Sequence, residues 1–283
     1  MKKPTGGEAR GSTPRLAFVF SGGASYAAAQ AGMLRAMTAA GIVPDLVVGT
    51  SAGALNAVAY AADPTAAGVE RLVRSWTATS RSDVFPVRPL ALAQGLFGYR
   101  DHLFPSTRFE RWLAGNLPVQ LLEDTVLPAT VVTTDRSSGQ PVHLTRGPAL
   151  PALMASSAVP GIFPAVTIDG RTLVDGGLSE DTPIGVAEAS GATTIFVFPS
   201  HAPAGMSPGE HRATALLTYA YRQVLGHWTV DRSEADPALD VEVLPVPSSG
   251  TSSPFDFSHT DELIRRAGQL TEQWLVGWSR RAA

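Results

Sequence analysis

The stretch that most constrains the fold is Val47-Val48-Gly49-Thr50-Ser51-Ala52-Gly53-Ala54-Leu55-Asn56-Ala57. It reads as a short apolar strand, a sharp turn with serine at its tip, and an alanine-rich helix. Gly49-x-Ser51-x-Gly53 is the spacing of a nucleophile elbow. Such a turn holds its serine in a strained conformation while strand and helix pass close on either side, so side chains at 49 and 53 would clash. The elbow lifts the hydroxyl out of the sheet. It also sets it at a helix N-terminus, where free N–H groups and the dipole favour developing negative charge. Taken alone, the same residues also fit a glycine- and serine-rich turn in an alanine-rich protein.

The flanking sequence supplies the context. Leu16-Ala17-Phe18-Val19-Phe20 is a continuous apolar run, as for a strand buried on both faces of a parallel sheet. Ser21-Gly22-Gly23-Ala24-Ser25 follows as a tight loop, then a helix is expected over residues 26–40 with Gly41 as its stop. Strand, helix, strand, helix within some fifty residues indicates right-handed βαβ units. Parallel strands bring the loop after Phe20 and the elbow to the same sheet edge. Backbone N–H groups of the side-chain-poor loop Gly22-Gly23-Ala24 can there approach a developing oxyanion, although an ordinary βα turn has the same composition.

Further along, Asp63-Pro64 fits a cap with proline at the first helical position, opening a helix to about residue 79. From 85 to 104, Phe85, Leu90, Leu92, Leu96, Phe97, Tyr99, Leu103 and Phe104 are interleaved with prolines and glycines. That pattern suits either an apolar cover over a pocket or an irregular packed loop. Thr107-x-x-Glu110 reads as a capping box. Residues 127–134 read as a strand with 142–144 as its neighbour, and 149–156 as a short helix. Val166-Thr167-Ile168, Asp169-Gly170 and Arg171-Thr172-Leu173-Val174 give a hairpin with an Asp-Gly turn that runs into Asp175-Gly176-Gly177. Asp175 thus sits between a strand end and two glycines, placed either to reach across the sheet edge or simply to make a turn. Thr182-Pro183 is expected to cap a helix ending at Gly191, followed by a strand over 193–198, a loop from 201, a helix over 210–228, a strand over 240–246 and a final amphipathic helix over 260–276. No repeat or linker stands out. The organisation expected is a disordered tail over 1–14 and a single domain over 15–283.

Composition narrows the chemistry. With 22 Lys and Arg against 25 Asp and Glu, the net charge of −3 provides no field to recruit nucleic acid. There is no cysteine, which removes disulfides, thiol nucleophiles and thiolate metal sites. Lysine occurs only at Lys2 and Lys3, so the body of the chain holds no Schiff-base or P-loop lysine. Lys2 and Lys3 followed by the 16–20 run make a poor signal peptide, and no run approaches the roughly 18 apolar residues of a membrane span. A soluble, cytoplasmic protein is expected, without cofactor, and nothing in the sequence specifies an oligomeric state.

The combination resembles the patatin-like phospholipase family of serine lipid acyl hydrolases. Gly49-Thr50-Ser51-Ala52-Gly53-Ala54 is similar to the family's nucleophile motif, Asp175-Gly176-Gly177 to its Asp-Gly-Gly/Ala motif, and Ser156-Ser157-Ala158-Val159-Pro160-Gly161-Ile162-Phe163-Pro164 to the segment before that aspartate. Phe257-Ser258 before the last helix is similar too. The resemblance implies a three-layer α/β/α sandwich on a mostly parallel central sheet. It also implies a Ser–Asp dyad in which Ser51 attacks an ester and Asp175 takes its proton. The oxyanion would be bound by the N–H groups of Gly22, Gly23 and Ala24, with Ala52 as a further donor. The implied partner is a lipid or acyl-ester substrate; the aromatic and leucine pattern of 85–104 itself suggests that stretch for transient membrane or lipid-aggregate contact.

Two departures stand against the family pattern. Ala24 and Tyr26 occupy positions where the family's glycine-rich loop carries a third glycine and an arginine. Glu180 and Asp181 replace frequent asparagines, and either point to solvent or put negative charge at the site. His102, His143, His201, His211, His227 and His259 share no ligand spacing and read as surface or packing residues, His143 as a core residue on its strand. The competing readings are an α/β-hydrolase with a Ser51, Asp175 and His201 or His227 triad, a non-enzymatic lipid-binding or interaction module, and, more weakly, a dinucleotide site. The serine comes early for the first, Ala24 and Tyr26 favour the second, and neither glycine loop gives GxGxxG for the third.

Overall fold

A computed structural model of the chain describes residues 15–86, 89, 97, 99–200, 239–247 and 253–282. The expected tail over 1–14, the loop from 201 and the helix over 210–228 lie outside the described residues, as do Leu90, Leu92 and Leu96. The described chain folds around one eight-stranded sheet. Its strands are β1 (Leu16–Phe20), β2 (Leu46–Thr50), β3 (Ala129–Asp135), β4 (Pro141–Leu144), β5 (Val166–Ile168), β6 (Arg171–Asp175), β7 (Thr194–Phe198) and β8 (Asp240–Val243). The spatial order is β5-β6-β3-β2-β1-β7-β8, with β4 also on β3. Strands β3, β2, β1, β7 and β8 are parallel, and β4, β5 and β6 form an antiparallel margin.

The helices are α1 (Ala28–Ala39), α2 (Ala52–Ala62), α3 (Ala66–Ala78), α4 (Arg81–Val84), α5 (Thr107–Asn116), α6 (Ala149–Ser156), α7 (Ile184–Ala189) and α8 (Thr260–Ala282). Successive strand residues point to opposite faces. Phe18 and Phe20 of β1 and Phe196 and Phe198 of β7 therefore enter the larger core with α1, α2, α3 and α8. Their neighbours Ala17, Val19, Ile195 and Val197 enter a smaller core under Val186 and Ala187 of α7. Two buried faces explain why β1 and β7 read as unbroken apolar runs. The mixed α/β fold with flanking helices and a mostly parallel sheet is the architecture expected from the sequence.

Several local expectations change. Thr65, not Asp63, caps α3, its hydroxyl accepting from the Gly68 N–H at 3.3 Å. Asp63 instead accepts from the Thr65 N–H and hydroxyl, so Pro64 stays outside the helix. Thr107 is already the first helical residue of α5, so the expected box with Glu110 does not form. A capping box does form one helix earlier, between Ser80 and Asp83 at α4. Thr182 caps nothing because its hydroxyl pairs with that of Ser21 at 2.8 Å. The last helix continues well past residue 276, to Ala282. The Asp169-Gly170 turn holds: both residues have positive φ, 48° and 76°, as a tight hairpin turn requires.

Strand β1 is the switch point of the sheet. The chain steps from β1 to β2 and β3 on one side and later returns to β7 on the other. The crevice beyond the ends of such strands is where α/β sheets place their sites, and the loop after Phe20 and the elbow both open into it.

Candidate active site

Ser51 has φ 54° and ψ −127°, a backbone conformation that non-glycine residues rarely adopt. Packing enforces it. A Cβ on Gly49 would lie 2.6 Å from the Gly53 carbonyl oxygen, and one on Gly53 would lie 2.5 Å from the carbonyl oxygens of Phe20 and Ser21. Strand, turn and helix are thus in van der Waals contact, with no room for a side chain at either glycine.

The register of β3 brings Asp175 to the serine. Thr50, the last residue of β2, lies opposite Val132, and the next residue of β3, Thr133, lies opposite Asp175. Because β3 extends past the end of β2, antiparallel β6 can return beside it and finish level with the elbow. The Ser51 Oγ donates to Asp175 Oδ2 at 2.7 Å, and the Gly177 N–H holds Oδ1 at 2.8 Å. Asp175 is 2% exposed. Burial pushes its carboxyl up to about 6, against the lowering effect of the Ser51 and Gly177 hydrogen bonds. Near neutral pH it is a buried carboxylate, able to accept a proton.

The loop after β1 divides its donors. The Gly22 N–H is occupied by the Asp181 carbonyl at 3.2 Å, which corrects the expectation that it faces an oxyanion. The N–H groups of Gly23 and Ala24 have no acceptor among the described residues. Gly23 has φ 151° and Ala24 φ 49°, so alanine occupies a left-handed conformation where the related pattern has glycine. The first turn of α2 adds the Ala52 N–H at its open N-terminus. Buried Gln30 anchors this loop. Its Nε2 donates to the Ser21 and Phe198 carbonyls at 2.8 and 2.9 Å, and its Oε1 accepts from Asn56 Nδ2 at 2.7 Å. Asn56 sits on α2, so the loop after β1 and the elbow helix are tied by one buried amide pair, which Trp76 Nε1 extends at 2.7 Å.

Ser51 opens onto a cavity of about 810 Å³. Trp76, Phe85, Phe104, Phe109, Phe163 and Phe257 give it an aromatic wall. Phe85 stacks on Phe163 with ring centroids 5.4 Å apart and is itself buried, so this end of the 85–104 stretch is fixed wall. Leu103 and Phe104 are tied by their N–H groups to the Gly161 and Ile162 carbonyls at 2.9 Å. Phe97 and Tyr99, by contrast, are 79% and 83% exposed.

One contact to Ser51 itself has no signal in the sequence. The Ser156 hydroxyl accepts from the Ser51 N–H at 2.8 Å and donates to the Val132 carbonyl at 2.6 Å. Of the two acidic neighbours, Glu180 pairs with His143 at 2.6 Å near the surface, so His143 is not a core residue, while Asp181 is buried beside the loop. His102 pairs with Asp101 and His259 with Asp256. None of the three described histidines touches Ser51 or Asp175, and His201, His211 and His227 lie outside the described residues. No group of three or more metal-ligating side chains occurs among the described residues, and none of their helices is long and apolar enough to cross a membrane.

Comparison with known proteins places this geometry. The family model for patatin-like phospholipases matches residues 18–188, from β1 through α7. Human patatin-like phospholipase domain-containing protein 6 is 28% identical over 233 residues, covering 81% of this chain and 16% of that protein. An uncharacterized NTE family protein of Mycobacterium bovis is 29% identical over 210 residues, covering 72% of this chain and 55% of that one. The chain therefore spans between about a sixth and about half of the length of these relatives. Among solved structures, VipD from Legionella pneumophila superposes with a TM-score of 0.51 over 94% of this chain and 67% of its own, at 12% identity, a likeness of fold.

Proposed function

The chain belongs to the patatin-like phospholipase family, and from that premise we propose that it is a serine hydrolase cleaving carboxylic esters of lipids through a Ser–Asp dyad. The observation that carries this reading is the 2.7 Å hydrogen bond from Ser51 Oγ to Asp175 Oδ2 at the mouth of an apolar cavity.

Ser51 Oγ attacks the ester carbonyl carbon as its proton passes to Asp175 Oδ2. Negative charge moves onto the carbonyl oxygen, where the N–H groups of Gly23, Ala24 and Ala52 are the available donors. The tetrahedral intermediate collapses as the alcohol leaves with the proton from Asp175, and an acyl-Ser51 ester remains. Water then gives a proton to Asp175 and attacks that ester. The second intermediate collapses to release the carboxylic acid, and the proton returns to Ser51. Holding Oδ1 on the Gly177 N–H keeps Oδ2 aimed at the serine throughout. The aromatic cavity takes the acyl chain, and exposed Phe97 and Tyr99 provide contact with a lipid aggregate or membrane.

A long-chain alkyl phosphonate tests the assignment. It is expected to label the protein once, at Ser51, and a panel of acyl lengths and head groups is expected to favour long chains. Label retained after Ser51→Ala, or a wild type that neither takes the label nor cleaves any ester, overturns it.

A further inference from the structure

Asp181 is a second carboxyl buried at this site, and the dyad has no use for it. The residue is 8% exposed. Its backbone carbonyl holds the Gly22 N–H at 3.2 Å, and the adjacent Thr182 hydroxyl pairs with the Ser21 hydroxyl at 2.8 Å, so the segment is fastened to the loop after β1. Gly22 lies between the carboxyl and the nucleophile. A Cβ added there would meet Asp181 Oδ1 at 2.6 Å on one side and Ser51 Cβ at 3.4 Å on the other. The Asp181 carboxyl thus lies across Gly22 from the Ser51 side chain.

The described surroundings offer it no counter-charge. From β6, the charge that acts on Asp181 is that of Asp175, of the same sign. Its neighbour Glu180 turns away to His143 of β4. The end of β2 contributes Thr50, whose hydroxyl donates to the Glu180 carbonyl, and the segment after β7 contributes Ser200, whose hydroxyl bonds the Gly22 carbonyl. The loop after β1 contributes uncharged Ser21 and Gly22. Among the described residues no arginine or histidine pairs with Asp181.

We propose that Asp181 is a positioning residue for the serine reaction: as a neutral acid it leaves Asp175 the lone charge beside Ser51, and its ionisation shuts the reaction down. This rests on the dyad reading above. Two buried carboxyls that feel each other's charge cannot both ionise without cost. Asp175 has the Ser51 hydroxyl and Gly177 N–H to stabilise its charge, and ionises first. Among the described residues Asp181 has in its favour only the Gly22 N–H, which its own backbone carbonyl already engages, and burial together with the Asp175 charge pushes it up to about 7. Between the two steps the site holds one base and one neutral acid. Above both, a second anion stands across Gly22 from the centre at which negative charge must develop, and the transition state loses electrostatic stabilisation. The two apparent constants belong to the pair.

The experiment is a pH profile of kcat/KM, from pH 5 to 9.5, for a soluble uncharged short-chain ester, on wild type and Asp181→Asn. The wild type is expected to pass through a maximum and fall at least about tenfold by pH 9, while the variant rises through the acid limb and stays level. A variant that keeps the same alkaline fall, or loses activity equally at every pH, overturns the proposal and leaves the dyad standing. The wild type gives a second readout that needs no variant to fold. Its rate of labelling by a neutral phosphonate must fall over the same range, and a rate that is flat or rising to pH 9.5 overturns the proposal. A wild type inert to both ester and label removes the hydrolase reading, and this inference with it.

Discussion

The Ser51 N–H points into the protein and ends on the Ser156 hydroxyl, 2.8 Å away, which itself donates to the Val132 carbonyl at 2.6 Å. The backbone of Ser51 is thereby moored to β3, the same strand that sets the height of Asp175. A strained residue persists only where its surroundings over-determine it, and this hydroxyl is one of those determinants.

Ser156→Ala leaves the Ser51 N–H buried without a partner. The expected cost is about 1–3 kcal/mol of stability. A shift of the elbow by a fraction of an ångström should also lower kcat on a soluble ester by roughly 10–100-fold. Thermal melts and steady-state kinetics on the one variant check both. Unchanged kcat with reduced stability would mean the mooring serves the fold alone.

How far the sequence reaches is clear from these residues. Gly49, Ser51 and Gly53 announce the elbow because sterics leave no other choice of residue type, and Asp169-Gly170 announces the hairpin for the same reason. Asp175 reads from its strand end only as a carboxylate able to reach across the sheet edge, and its pairing with Ser51 is what the family resemblance implies, since the register of β3 against β2 and antiparallel β6 is a tertiary property. The Ser156 mooring and the burial of Asp181 were not legible. A serine among small residues and an acid after Asp-Gly-Gly look alike whether they face solvent or the site, because nothing in local periodicity records which neighbours tertiary packing brings. The capping errors at Asp63, Thr107 and Thr182 share one cause: each side chain, or the residue beside it, has a competing hydrogen bond or a shifted helix start that one residue of offset decides.

Asp175→Asn keeps the shape of the carboxylate but cannot take the serine proton. The expected loss in kcat is roughly 10²–10⁴-fold, with the melting temperature close to wild type. In the wild type the acid limb should lie near pH 6, where Asp175 protonates. Glutamine at His102, His143 or His259 should leave most of the activity, as should glutamine at His201, His211 or His227. One dead but folded histidine variant would restore the three-residue mechanism.

Ala24 gives a test of strain in the loop after β1. At φ 49° an L-residue is disfavoured by about 1–2 kcal/mol. Glycine removes that penalty and adds about 0.5–1 kcal/mol of unfolded-state freedom. Ala24→Gly is therefore expected to raise stability slightly, by up to about 1 kcal/mol. Ala24→Val, with a β-branched side chain in the same conformation, should lower it and slow labelling of Ser51. A glycine variant less stable than wild type would place the alanine methyl in useful packing that outweighs the strain.

The buried acids also predict how stability varies with pH. Asp181 moves from its ordinary 3.8 to about 7 on folding, and Asp175 from 3.8 to about 6. Between about pH 4 and 7 the native state keeps protons that the unfolded chain has released. These groups therefore stabilise the fold most below pH 4, and that contribution is lost as pH rises to about 7 and is flat beyond it. Carboxyls held low by surface hydrogen bonds, such as Asp63 and Asp83, act with the opposite sign but are common to wild type and variant. The informative quantity is thus the difference between the two melting curves. Relative to wild type, Asp181→Asn should gain several degrees in Tm between pH 4.5 and 8, with most of the change complete by about pH 7. Two curves that run parallel across that range would mean the Asp181 charge is compensated in the fold.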